Sequence, residues 1–311
     1  MLDSLTLDQL RALVAVAETG SFSAAARRLG RVQSAVSQAI QSLETTLGTV
    51  LFDRLGKTPK LNDAGKVILA DARRLIDGAK TLRARAESIA ADVEPELALA
   101  VDGIFPLPVL TASLKAVSHA FPYLPVSLFT EGLGGSEQRL REGYARLAIC
   151  LPLPSLLADH ESEFLVTVGT VPVVAASHPL AAEKGPISRL KMEEHTQLVL
   201  TDRTPLTSGI SGSIISRRVW RFADLSTRLE FLLAGLGWCN MPIHMVREPI
   251  VSGRLKPLEI ADFRPPELDL HVVHDRGRAP GKAGRWLIED IRRRLPSCVE
   301  PMSLPKVAEP A

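Results

Sequence analysis

The chain has 311 residues, 46% hydrophobic and 23% charged, long enough for two or three domains and ordinary for a soluble globular protein. A formal net charge of +2 excludes a molecule that is basic all over, so any DNA-binding charge must be gathered locally. Cys150, Cys239 and Cys298 lie far apart with no CxxC, which excludes a disulfide framework or structural zinc site and suits a reducing cytoplasm. The start MLDSLTLDQL lacks the pattern of a signal peptide, and no run of roughly 18 uncharged apolar residues is present. No membrane partner is expected, and the cytoplasm is the expected compartment.

Thr6 and Gln9 have capping-box spacing, and Leu7, Leu10, Val14 and Ala17 continue from them as a helical stripe. Gly20 ends that helix, Ser21 or Ser23 caps the next, and Ala24, Ala25 and Ala26 allow a close helix crossing. Beyond Gly30, Val36, Ile40, Leu43 and Leu47 form one apolar face. Ser34, Ser37, Gln38, Gln41 and Thr45 fall opposite. Their short uncharged side chains carry both donors and acceptors, as reading base edges requires. This pattern fits a DNA-binding helix-turn-helix, and equally an amphipathic helix pair with a solvated polar face. After Gly48, Val50-Leu51-Phe52 and Lys60-Leu61 read as a two-stranded wing, with Arg54, Gly56, Lys57 and Pro59 in its turn. Charge there would grip phosphate while the helix reads bases.

The run LDQLRALVAVAETGSFSAAARRLGRVQSAVSQAIQSLETTLGTVLFDRLGKTPKLNDAG resembles the N-terminal domain of LysR-type transcriptional regulators. AVAETGSFSAAARRL, the Ser34–Leu47 stretch ending in SLETTLG, LFDR and Ala64-Gly65 carry the likeness. The resemblance favours the helix-turn-helix. Two positions depart from the pattern. Arg31 stands where the family more often has a small or apolar residue, adding charge at the mouth of the recognition helix. Asn62 replaces the usual Thr and caps a helix as well. The candidate DNA contacts are Ser21, Ser23, Arg31, Gln33, Ser34, Ser37, Gln38, Gln41, Arg54 and Lys57.

Ala64, Ile68, Ala72, Leu75, Ala79, Leu82, Ala86 and Ile89 then repeat by fours and threes, near the spacing of a coiled-coil seam. Such a helix packs either on its own chain's core or on a partner helix. The resemblance favours a partner, implying a homodimer, or a homotetramer, that presents two recognition helices to a pseudo-palindromic site.

Beyond Pro95 strands and helices alternate. Strands are expected at Leu97–Val101, Val126–Phe129, Leu147–Leu151, Phe164–Val168, Val171–Ala175, Leu198–Leu200, Trp238 and Leu268–Val273. Helices are expected at Val109–Ala120, Glu137–Glu142, Leu225–Ala234 and Ala283–Arg294. The pattern implies a mainly parallel sheet covered on both faces, in two halves joined by crossing strands around a cleft. ASHPLA, VWRFADLSTRLEFLLAGLGWCNMP and GRLKPL resemble places in LysR effector domains.

The expected fold is therefore α/β with an N-terminal all-α winged helix-turn-helix (1–62) and a long linker and dimerisation helix (63–94). A two-lobed α/β effector domain resembling periplasmic binding proteins follows (95–300), with lobe I at 96–150 and 266–300 and lobe II at 151–265. Residues 301–311 form a loose tail.

Ligands of open α/β sheets sit beyond the carboxyl ends of strands. Two loops meet that description, Asp102-Gly103-Ile104-Phe105 and Thr201-Asp202-Arg203-Thr204. The resemblance implies that they face each other across the cleft, and Glu131, Ser136 and Cys150 complete the candidate effector set. Family members that sense carboxylates commonly place Ser or Thr near Asp102. A carboxylate there would repel an anionic effector unless Arg203 outweighed it. Asp102 therefore either holds a neutral or amine-bearing effector against Ile104 and Phe105, or merely caps the following turn.

Cys239 is a redox candidate only if exposed, and otherwise a small buried residue. His271 and His274 point to opposite strand faces, a poor metal pair, and His178 belongs to the HPLA turn. No cofactor motif, metal site or catalytic constellation stands out, so no enzyme activity is expected.

The expected function is sequence-specific transcriptional regulation controlled by a small-molecule effector, with promoter DNA, a second copy and RNA polymerase as partners. Two rivals are a nucleoid-type binder that ignores small molecules and an α/β enzyme whose N-terminal helices only dimerise it.

Overall fold

The computed structural model describes residues 5–53, 58–153, 160–207 and 214–296, which fall into two compact units divided after Ala90. Arg54, Gly56, Lys57, Cys298 and the tail from 301 lie outside the described residues.

The first unit contains α1 (Leu7–Thr19), α2 (Phe22–Leu29), α3 (Gln33–Leu47), β1 (Phe52–Asp53), β2 (Lys60–Leu61) and α4 (Asp63–Ala90). Local chemistry sets most of these boundaries. Thr6 and Gln9 form a reciprocal capping box, and the Ser21 hydroxyl accepts from the Ala24 N–H. Gly20, Gly30 and Gly48 each end a helix at φ 65°, 65° and 67°, where a Cβ would be strained. Asn62 Oδ1 accepts from the Gly65 N–H at 2.7 Å, while Nδ2 donates to the Val50 carbonyl at 2.8 Å. Asn62 thus caps α4 and ties it to the segment that leads into β1. A Cβ on Gly65 would lie 2.2 Å from the Leu51 carbonyl oxygen, so only glycine lets α4 begin there.

The core of this unit joins Leu10, Leu13 and Val16 of α1, Ala25 and Ala26 of α2, Val36, Ile40 and Leu43 of α3, and Leu51. Two expected stripes shift. Leu7 is exposed, because the buried face of α1 follows Leu10, Leu13 and Val16; Leu47, at the open end of α3, is exposed as well. The long helix ends at Ala90 rather than 94, and Asp92 beyond it takes a positive φ of 61°. Its seam divides. Ala72 and Ile76 are buried against the unit's own core, with Ile68 and Leu69 packed beside them. Further along, Leu75, Leu82 and Ile89 are 52%, 72% and 52% exposed.

The second unit holds nine strands and six helices among the described residues. They are β3 (Leu97–Asp102), α5 (Leu107–Ala120), β4 (Val126–Glu131), α6 (Gly135–Arg141), β5 (Leu147–Cys150), β6 (His160–Ala175), α7 (Arg189–Glu193) and β7 (Gln197–Leu200). Then come β8 (Val219–Phe222), α8 (Leu225–Leu233), β9 (Trp238–Pro242), α9 (Ile243–Val251), β10 (Leu255–Pro257), β11 (Glu267–Asp275) and α10 (Lys282–Arg294). Sheet order is β4-β3-β5-β11-β6-β9-β7-β8, with β10 added to β6.

Strands β3, β4 and β5 are mutually parallel, as are β7, β8 and β9, while β6 and β11 run antiparallel between the two sets. The strands expected at 164–168 and 171–175 are one strand. The Gly169-Thr170 step and Pro172 read as punctuation in sequence, yet β6 pairs with β11 up to Gly169 and with β9 from Thr170. Lobes therefore change inside β6, not at residue 151. Pro172 offers no N–H to the ladder, and its carbonyl accepts from the Leu258 N–H. Glu94 closes lobe I from a distance, its carboxylate accepting from the Ala283 and Gly284 N–H groups at the start of α10.

Candidate functional site

In the first unit, α3 turns Val36, Ile40 and Leu43 inward, which leaves Gln33, Ser34, Gln38, Gln41 and Thr45 exposed on the other side. The side chains of Gln33, Gln38 and Gln41 are all exposed on this face. The Thr45 hydroxyl is turned back onto the Gln41 carbonyl, and Ser37 is half-buried. Ser21 is spent as a helix cap, and the Ser23 hydroxyl accepts from Arg27. Arg31 pairs with Asp8, so its charge at the mouth of α3 is partly neutralised within the unit. Val32, ahead of α3, is exposed. Sequence patterning passes over it because an isolated valine signals core, yet an exposed methyl surface suits contact with thymine.

In the second unit, a cavity of about 630 Å³ opens where strands of both lobes end. Its polar lining includes Asp102 from the end of β3, Thr170 at the crossing of β6, Thr201 and Asp202 beyond β7, Arg221 of β8, Arg228 of α8 and Asn240 of β9. Ile104, Leu133, Leu151, Leu153 and Leu268 supply apolar wall. The two loops expected to face each other both contribute to the lining. The lobes also touch, since Asp202 Oδ2 accepts from the Gly134 N–H at 3.1 Å. A Cβ on Gly134 would stand 2.5 Å from that oxygen, so any larger residue would wedge the lobes apart.

Asp102 caps and lines at once. Oδ1 accepts from the Ile104 N–H at 3.0 Å, whereas Oδ2 is buried without a hydrogen-bond partner. Burial pushes this carboxyl up to about 7, against the lowering effect of the Ile104 and Leu133 N–H groups and with the charge of Asp202 adding to the rise. Burial also raises Asp202, but bonds from Thr204, Thr207 and Gly134 outweigh it and hold that carboxyl below its usual range.

Arg203 is exposed and outside the lining; the arginines in the cavity wall are Arg221, which is exposed near the end of β8, and Arg228. Arg228 is the deeply placed one, 7% exposed on α8, a helix started by the Asp224 carboxylate accepting from the Thr227 N–H at 2.6 Å. Burial lowers the guanidinium's basicity. It donates to the Asn240 carbonyl at 3.0 Å and approaches Met241 Sδ at 3.3 Å, and its Nε has no partner. Sequence reading missed Arg228 because a charge on an amphipathic helix reads as solvated.

Other expected contacts are placed elsewhere. Phe105 is buried in the core, Gly103 donates its N–H to the Glu131 carbonyl, and Glu131 pairs with Arg139 at 2.7 Å. Ser136 is on the buried face of α6, and Cys150 belongs to a small core with Ala100, Ala148 and Val273. Burial pushes the Cys150 thiol up, and that of Cys239 to about 11, so neither is an activated thiolate. His271 Nδ1 meets the Ser162 hydroxyl, and His178 Nδ1 accepts from the Leu180 N–H. Among the described residues no cluster of three or more His, Cys, Asp and Glu side chains is placed to hold a metal.

The model of the bacterial regulatory helix-turn-helix protein, lysR family, matches residues 7–66, and that of the LysR substrate binding domain matches 90–296. The probable HTH-type transcriptional regulator YhaJ of Escherichia coli (strain K12) is 30% identical over 293 residues, covering 93% of this chain and 96% of that protein. The HTH-type transcriptional regulator AceR of Acinetobacter baumannii is 30% identical over 295 residues, covering 94% and 98%. Among solved structures, the Corynebacterium glutamicum OxyR C206 mutant aligns with a TM-score of 0.60 at 22% identity, over 96% of this chain and 95% of that one. With both halves matched in order along nearly the whole length, the chain belongs to the LysR family of DNA-binding transcriptional regulators with an effector-binding domain.

Proposed function

We propose that this regulator reads promoter DNA with Ser34, Ser37, Gln38 and Gln41, with Val32 on the same surface, and grips phosphate through Arg54 and Lys57. A second copy joined along α4 presents the same face to the other half-site. A small molecule lodged against Asp102, Thr201 and Arg228 shifts the two lobes and, through them, the spacing of the recognition helices. The protein would act in the cytoplasm and pass its signal to RNA polymerase.

One observation supports the dimer most strongly: Leu75, Leu82 and Ile89 stand seven residues apart, exposed, with Ala79 and Ala86 between them. That is a coiled-coil seam lacking its partner. Leu75→Asp combined with Leu82→Asp is expected to convert the dimer to monomer in sedimentation and to weaken promoter binding at least about tenfold, because both half-sites are no longer held together. A doubly substituted chain that sediments like the wild type would remove α4 as the joint.

The DNA assignments separate by sequence dependence. Gln38→Ala is expected to change preference at particular base pairs, by about 1–3 kcal/mol for a lost bidentate contact. Arg54→Ala is expected to weaken all sequences alike and reduce the salt slope by about one unit. Fluorescence anisotropy on matched and scrambled duplexes at two salt concentrations reads both. Equal affinity for matched and scrambled DNA would favour the nucleoid-type rival. The enzyme rival is disfavoured at the cavity because the thiols near Asp102 and Arg228, those of Cys150 and Cys239, are buried and raised rather than activated.

A further inference from the structure

The cavity holds two buried charges of opposite sign that do not serve each other. The hydrogen bond of Asp102 goes to the Ile104 backbone and those of Arg228 to Asn240 and Met241; one oxygen and one nitrogen are left over. Among the described residues no carboxylate is within hydrogen-bond reach of Arg228. A buried charge without a counter-charge is costly and persists where something else supplies one. The two poles differ in surroundings. Asp102 has the ionised Asp202 near it, which makes that end acidic. Arg228 has the unpartnered Asn240 Oδ1 in the same wall, an acceptor for an N–H or O–H beside the cation. Leucines 133, 151, 153 and 268 supply the apolar wall.

We propose that the effector is a zwitterionic small molecule, its ammonium end held by Asp102 and its carboxylate by Arg228, with a short apolar body between. This rests on reading the cleft as the effector site. Asp102 belongs to one lobe and Arg228 to the other, so such a ligand ties the lobes together by charge at both ends. Loss of either charge should therefore cost more than the loss of one contact.

Isothermal titration of the full-length protein tests this with linear ω-amino acids and, for each, the alkanoate and the alkylamine of equal length. At least one amino acid is expected to bind about tenfold or more tightly than both counterparts, a difference of about 1.4 kcal/mol. Asp102→Asn should abolish its advantage over the alkanoate, and Arg228→Gln its advantage over the alkylamine. A residue with a merely structural role would not give that crossed pattern. Alkanoates or alkylamines that bind as well as the amino acids overturn the two-pole ligand, as does a series without any binder. The underlying site is tested apart from ligand class by Thr201→Trp, which fills the cavity and is expected to alter the promoter footprint. An unchanged footprint would remove the cleft as the control site, whereas a changed footprint with uncrossed titrations removes only the zwitterion.

Discussion

Asp102→Asn is expected to stabilise the second unit at about pH 8 and to remove one fall in its stability between about pH 4 and pH 7. What remains is the opposite trend of the partly buried His244, which burial lowers to about 4. In the unfolded chain this carboxyl has its ordinary value of 3.8, and in the folded chain burial raises it to about 7. Between those values the folded state keeps a proton that the unfolded state has released, so stability falls as pH rises. The contribution is complete below the lower value and gone above the higher one. Roughly three units of difference correspond to on the order of 4 kcal/mol. Asparagine keeps an acceptor for the Ile104 N–H and cannot ionise. The charged neighbour Asp202 is held below its usual range, and the thiol of Cys150 is raised, so neither titrates in this window. Urea unfolding followed by tryptophan fluorescence measures the effect, because Trp220, Trp238 and Trp286 all lie in this unit. A variant whose pH profile parallels the wild type would place the proton elsewhere.

Leu43→Ala is expected to cost the first unit about 2–5 kcal/mol, the usual range for opening a cavity in a packed core. Leu43 is fully buried on the inner face of α3, in contact with the core that joins α1, α2 and α3. Losing it frees α3 to shift, so duplex binding should fall even though no residue of the exposed face has changed. Leu43→Met, which nearly conserves volume, should cost less than about 1.5 kcal/mol and keep DNA binding. The first unit contains no tryptophan, so the helical circular dichroism signal should melt earlier while tryptophan fluorescence keeps its midpoint. An unchanged dichroism midpoint would mean that α3 is held by contacts other than this core.

The first unit was largely legible because its boundaries depend on neighbours in sequence. Thr6 with Gln9, Ser21 and the three helix-ending glycines act over a few residues, and so does the period of Val36, Ile40 and Leu43. Leu7 misled because a stripe of four apolar residues on α1 admits two overlapping faces, and only contact with α2 and α3 selects between them. The stripe of α4 packs on its own chain's core over the first turns and is exposed beyond them, since the helix outruns that core.

The cleft was less legible. The loops after β3 and β7 could be placed from topology, and Asp102, Ile104, Thr201 and Asp202 do line the cavity. The partner charge could not be placed. Arg203 was favoured for sitting in the right loop, and Phe105, Ser136 and Cys150 for their nearness in sequence to strand ends. Yet three of these four side chains fill the interior and the fourth points to solvent.

Sequence alone determined the helix boundaries of the first unit, the apolar stripe of α4 and the strand–helix alternation of this regulator, because caps, turns and periodicities are interactions across a few residues. Only the tertiary structure decided that β6 crosses between lobes unbroken, that Arg228 is buried and that Asp102 keeps an oxygen without a partner. Each of those depends on which distant strand or helix comes to lie beside it. Burial and counter-charge are properties of that neighbourhood, and the local pattern of residues does not contain them.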